Sequence, residues 1–249
     1  ITGHGQEGEF IPRYHYINID GNMPPTDTWQ VWTECAENPV YPQGGTWIYD
    51  RAGWCPGQAS DIRELDITSQ VNSGQNHMID YGLYSASGNS NYWVSSQLVS
   101  YDSPNHLLDA AITDIMSPTN NIIYGRTNPI CSKPKIKIKN TGSNALTSLR
   151  IEYWINDAIN KEVFQWNGNL NFLEEEIVEL PATNTLWDNI DFSGGLSIGE
   201  VTTYEDHPNL NKFHVEITNP NSGNDEYISN NYINSSFTPA PKYPNIFTL

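Results

Sequence analysis

Apolar and polar residues alternate along most of this chain, and the two-residue period of a half-buried strand outnumbers the helical period. The clearest case is residues 133–139, where Ile136 and Ile138 alternate with lysines. The lysines are expected to face water and the isoleucines a core, and Asn140-Thr141-Gly142 ends the segment. Residues 149–155 place Leu149, Ile151, Tyr153 and Ile155 on one face. Segments 108–115, 162–166, 175–180, 213–217 and 227–237 complete a series of about seven short strands, the spacing of an immunoglobulin-like sandwich. Earlier in the chain, 14–20 alternates and ends in the turn pair Asp20-Gly21, and 29–32 is a second short strand. Residues 61–67 read as a strand approach. Segments 77–84 and 92–101 read as a pair joined by the turn-rich stretch 85–90. The one helical signal is a single turn at 105–109. The pattern predicts an all-β protein: an antiparallel β-sandwich domain followed by a second sandwich.

Composition locates the boundary between them. The first 102 residues contain no lysine, and all seven lysines lie beyond residue 132. The predicted division is 1–102, 103–238 and a Pro-rich, extended tail 239–249, with the break near Ser103-Pro104-Asn105. Hydrophobic content is 37% with 8 Trp and 14 Tyr, enough for real cores. A net charge of −17 repels nucleic acid and anionic lipid, which excludes both as expected partners. The acidic residues are scattered and fit a solvated extracellular surface. No apolar run approaches the length of about 18 residues that marks a membrane span. No signal peptide heads the chain, and Ile1 leads directly into a strand-like pattern, which reads as a mature product or a fragment of something longer.

The most informative stretch lies between two cysteines. It begins Cys35-Ala36-Glu37-Asn38-Pro39 and ends Asp50-Arg51-Ala52-Gly53-Trp54-Cys55-Pro56-Gly57, with Trp47 between. A Cys35–Cys55 pair would close a loop of about 20 residues, worth about 3 kcal/mol in the chain-entropy model, and implies an oxidising compartment. These runs resemble the second half of the peptide:N-glycosidase F family, bacterial amidases that remove N-linked glycans from asparagine. Upstream, Thr2-Gly3-His4-Gly5, Gly8-Glu9-Phe10 and Arg13-Tyr14-His15 are similar, in order, to the family's G-W-G-H, A-E-W-C and R-T-H runs. The resemblance covers roughly residues 1–102 and implies a jelly-roll domain, the C-terminal half of a two-part secreted enzyme.

Hydrolysis of a glycosylated asparagine amide needs a carboxylate to activate water, a donor for the oxyanion and a surface for the sugar. The resemblance makes Glu9 and Arg51 the candidate catalytic residues. It makes Trp54, Phe10 and His4 the candidate substrate-binding residues. Phe10 and His4 each stand where the family has tryptophan. For Arg51 the plain alternative is a structural ion pair with Asp50 or another acid; for Trp54 it is packing over the disulfide. The short disulfide that flanks the family's A-E-W-C run is missing, since Glu7 and Ile11 occupy those positions. The family's essential aspartate lies in a preceding domain, in a D-E-W-D-like run, and this sequence holds no such run. The resemblance therefore implies half a cleft, inactive by itself, with a missing N-terminal jelly-roll domain or partner chain and an N-glycoprotein or glycan as ligand. The competing reading is a non-catalytic carbohydrate- or protein-binding component of a cell-surface assembly.

No cofactor and no metal is expected. A copper site of the kind found in monooxygenases of similar fold would need a second histidine beside His15, and positions 13 and 17 hold Arg and Ile. His77, His106, His207 and His214 read as isolated. Cys131 reads as a buried free thiol or as the partner of a cysteine elsewhere. The run from Lys135 through Asn140-Thr141-Gly142 also resembles CARDB-like adhesion modules of bacterial surface proteins.

Overall fold

A computed structural model describes residues 1–40, 44–45, 47–86, 88–127, 133–191 and 210–238. Cys131, His207 and the tail 239–249 lie outside the described residues. The chain divides into two compact units, Ile1–Val99 and Ser100–Leu249.

The first unit runs β1 (Thr2–His4), α1 (Gln6–Glu9), β2 (Arg13–Ile19), β3 (Asp27–Val31), β4 (Ile79–Leu83) and β5 (Asn91–Trp93). β2 is the centre of an antiparallel sheet β3-β2-β4, with His15 opposite both Trp29 and Leu83. β1 and β5 form an antiparallel ribbon in which Thr2, Gly3 and His4 face Trp93, Tyr92 and Asn91. Among the described residues its apolar core is small: Ile19, Val31, Val40, Ala52 and the disulfide Cys35–Cys55 are buried, together with the polar side chains of His15 and Arg51. A unit with so little apolar burial depends more heavily on its covalent cross-link.

Two expectations for this unit change. Residues 61–67 form no strand; Asp61 N–H donates to Gly53 O (2.9 Å) and Arg63 pairs with Asp27 (2.6 Å), so this segment is held by side chains and single backbone bonds. Segments 77–84 and 92–101 are not partners either. β4 lies against β2 and β5 against β1. Alternation identifies which face a residue takes, not which strand lies beside it.

The second unit runs β6 (Ala110–Ser117), β7 (Lys135–Asn140), β8 (Leu146–Ile155), β9 (Glu162–Leu170), β10 (Glu175–Glu179), α2 (Asn184–Trp187), β11 (Asn211–Thr218) and β12 (Tyr232–Phe237). Among the described residues, its seven strands form two antiparallel sheets, β10-β7-β6 and β12-β11-β8-β9. Between them lies one core, in which Ile136, Ile138, Leu149, Ile151, Tyr153, Ile155, Phe213, Val215 and Ile217 are essentially inaccessible. The lysines of β7 turn outward as expected and pair with β10: Lys135 with Glu179 (3.0 Å) and Lys139 with Glu175 (3.1 Å). The helical turn expected at 105–109 is absent. The short helix α2 instead starts at Thr183, whose hydroxyl accepts Leu186 N–H (3.1 Å), an N-cap overlooked among so many polar residues. The first half of 227–237 is a 3-10 turn, so β12 occupies only the second half. The all-β class stands.

Candidate functional site

Three short segments of the first unit are stitched together by backbone hydrogen bonds. Gly3 N–H donates to Ala52 O (2.9 Å) and Ala52 N–H to Glu9 O (3.0 Å), so the strip 51–53 lies between β1 and the end of α1. Arg51 also exchanges two backbone bonds with Thr33, at 2.7 and 3.1 Å. This close approach requires a glycine at position 3. A Cβ there would sit 2.0 Å from Gly8 O and 2.6 Å from Ala52 Cβ. Gly53 adopts φ of 76°, the left-handed region open to glycine, and turns the chain between Arg51 and Trp54. The Cys35–Cys55 bond anchors the far end, where Asp50 Oδ1 accepts Cys35 N–H (3.2 Å).

The side chains converge. Arg51 Nη1 donates to Glu9 Oε1 at 3.0 Å, and the arginine side chain is only 3% exposed, against 20% for Glu9. The guanidinium lies over the Trp54 ring at 4.8 Å and the Phe10 ring at 5.2 Å. Trp54 Nε1–H donates to Gly3 O (3.1 Å), and the His4 ring stacks on Trp54 with centroids 6.0 Å apart. Glu9, Phe10, Arg51, Trp54 and His4 are thus brought into one cluster. The ion-pair partner of Arg51 is Glu9, while Asp50 is occupied with the backbone beside the disulfide. Trp54 stacks on His4 and Arg51 and is half-buried.

One member of this group goes unnoticed in the sequence. Trp93, on β5, lies with its ring centroid 4.6 Å from that of His4 and is 72% exposed. Nothing in the sequence links positions 4 and 93 until the β1–β5 pairing is known.

His15, by contrast, is fully buried. Its Nδ1 is hydrogen-bonded with the Tyr81 hydroxyl, and Tyr92 meets the ring edge-on at 4.8 Å. Burial first, then nearby positive charges, lower its pKa to about 4, so the ring is neutral at physiological pH. Burial raises the Tyr81 hydroxyl to about 12. Among the described residues, no group of three or more His, Cys, Asp or Glu is placed to hold a metal ion.

The arrangement can accept hydrogen bonds at the Glu9 carboxylate, whose direction the buried guanidinium fixes, and can stack flat apolar faces on the neighbouring rings. It is an all-β domain whose surface couples one oriented carboxylate to aromatic rings. Residues 1–99, the span of the first unit, match the family model described as Peptide-N-glycosidase F, C terminal. The second unit lies outside the match. No curated protein and no solved structure matches the chain.

Proposed function

We propose that the first unit forms one wall of the cleft of a secreted peptide:N-glycosidase F-like amidase, which hydrolyses the bond between an asparagine side chain and its N-glycan. The observation that carries this reading is the convergence of Glu9, Phe10, Arg51, Trp54 and His4 within the span that matches this family. Glu9 takes hydrogen bonds from the amide or the innermost sugar, and Trp54 and Phe10 offer ring faces to it. Arg51 is too deeply buried to touch substrate; it acts as a positioning residue that holds the Glu9 carboxylate. The aspartate that activates water comes from a separate domain or chain, so these 249 residues alone are inactive. The disulfide fits an oxidising, extracytoplasmic location, and among the described residues no helix is long and apolar enough to cross a membrane. The second unit, with three strands packed on four, serves as an immunoglobulin-like, CARDB-like module at the cell surface.

The burial of Arg51 favours a second reading, in which the same wall binds glycan without cleaving it. Glycan release from an N-glycopeptide separates the two. The amidase reading requires that the natively produced protein carrying this chain release glycan and that Glu9→Gln abolish release. Binding without release by the native protein would leave the non-catalytic role.

A further inference from the structure

Among the described residues β3 is an edge strand, with β2 on one side only. The register fixes which of its backbone groups are free. Tyr84 N–H donates to Tyr14 O (3.1 Å), so Tyr14 and Tyr16 turn their backbone groups toward β4, while Arg13, His15 and Ile17 turn theirs toward β3. The residues opposite these three, Val31, Trp29 and Asp27, answer them. Thr28 and Gln30 therefore point N–H and C=O away from the sheet. Among the described residues no hydrogen bond reaches these outward groups, which need a partner or water.

A cleft of about 110 Å³ opens along that edge. One wall is residues 29–32, four in a row. Alternate side chains point to opposite faces, so four consecutive residues share a cleft only at the edge of a strand. The other wall is residues 61–63. That segment is tied to β3 by side chains alone: the Thr33 hydroxyl donates to Asp61, and Arg63 pairs with Asp27 (2.6 Å). The cleft also reaches Gly53, the turn residue between Arg51 and Trp54.

We propose that the free edge of β3 pairs with an extended stretch of the polypeptide that carries the glycan, lying along residues 28–32 and placing one side chain in the cleft. Backbone bonds to Thr28 and Gln30 supply the affinity in such strand addition, and a side-chain pocket supplies the selectivity. The cleft holds the volume of about four waters at roughly 30 Å³ each, which suits one side chain of middling size. An occupant of this edge runs up to the turn that carries Arg51 and Trp54, so the cleft is continuous with the proposed site. Charge narrows the side chain. Arg63 is neutralised by Asp27, which leaves Asp61 unbalanced among the described residues. A hydroxyl or a cationic group fits beside it and an acidic one does not. The identity of the occupant rests on the amidase reading above.

The test titrates the full chain with a synthetic peptide that has a central asparagine and no sugar. The amide resonances of Thr28 and Gln30 should shift in NMR spectra. Strand addition uses every second N–H of the peptide. Peptides N-methylated on one alternate set or the other should therefore differ in affinity by roughly tenfold. One peptide position should accept Ser or Lys and reject Glu. Gln30→Pro removes an outward N–H and no native bond, a change tolerated at an edge, and should abolish binding. The methylated peptides need no variant, which guards against a folding defect in the proline protein. Equal affinity for the two methylated sets overturns the edge pairing. So does failure of the bare peptide to bind a protein that still releases glycan from an N-glycopeptide, which leaves the amidase reading standing. Amides of Thr28 and Gln30 already protected from exchange in the natively produced protein, or a dimer that Gln30→Pro dissociates, assign the edge to another strand and overturn it as well. Alternate-set binding by a native protein that releases no glycan overturns the amidase reading and, with it, the identity of the occupant.

Discussion

Glu9→Gln isolates the interaction on which the cluster depends. The wild-type pair is 3.0 Å long, with the arginine side chain 3% exposed and the glutamate 20% exposed. Neutralising Glu9 breaks its ion pair with a guanidinium buried among rings, a change that costs about 3–5 kcal/mol for a buried pair. Because one-fifth of the Glu9 side chain is open to water, the lower end, about 3 kcal/mol, is expected. Arg51→Met removes the charge and its contacts with Trp54 and Phe10, each worth about 0.5–1 kcal/mol. The double variant Glu9→Gln, Arg51→Met removes both charges at once and should be no less stable than either single change, since exchanging a buried pair for neutral groups is often close to neutral. The coupling energy should therefore reach about 3 kcal/mol. Hydrogen exchange at the amides of Gly3 and Ala52 reports on it locally, because these two bonds stitch β1, the 51–53 strip and α1 together. Loss of 3 kcal/mol speeds exchange from the open state by roughly a hundredfold. Additive single effects, or a Glu9→Gln change below about 0.5 kcal/mol, would refute the idea that Arg51 is held in place by Glu9.

Three other outcomes are expected. Reducing the Cys35–Cys55 bond, which spans 20 residues, should lower the stability of the first unit by about 3 kcal/mol, and denaturant unfolding with and without reductant measures it; an unchanged midpoint would count against the account. Burial of neutral His15 makes its folded pKa about 4, below the unfolded value of 6.5. Its contribution is therefore complete above pH 6.5 and is lost as pH falls toward 4, by about 3 kcal/mol in total; unfolding measured between pH 7 and 5 should show this slope, and His15→Gln should flatten it. Gly3→Ala places a methyl group against the Gly8 carbonyl and Ala52, and should destabilise the first unit by about 1–3 kcal/mol, seen as a lower thermal midpoint, whereas Gly88→Ala should perturb no packing because nothing surrounds that position.

The second unit was the more legible half of the chain. Its core residues alternate cleanly along strands with one solvated face, and Ile136, Ile138, Leu149, Ile151, Tyr153 and Ile155 all turn inward as the pattern implies. The first unit has little apolar core, so its alternation is weak and its strand partners could not be read. What the sequence did carry there was local motif: Arg51 and Trp54 flank a glycine turn, and Glu9 precedes Phe10. Their convergence depends on backbone bonds between segments about 40 residues apart in sequence, a separation that no local pattern encodes. Trp93 lay beyond reach for the same reason. The burial of Arg51 was equally invisible, since an arginine in a polar loop carries no sign of the two rings that cover it.

The most direct test of the functional account is the fate of the asparagine. The natively produced protein that carries this chain is incubated with an N-glycopeptide, and the peptide product is analysed by mass spectrometry. Hydrolysis of the side-chain amide should release the glycan and leave aspartate where the glycosylated asparagine stood, and Glu9→Gln should abolish that conversion. A peptide that keeps its glycan, or that loses sugar while retaining asparagine, would contradict the assignment.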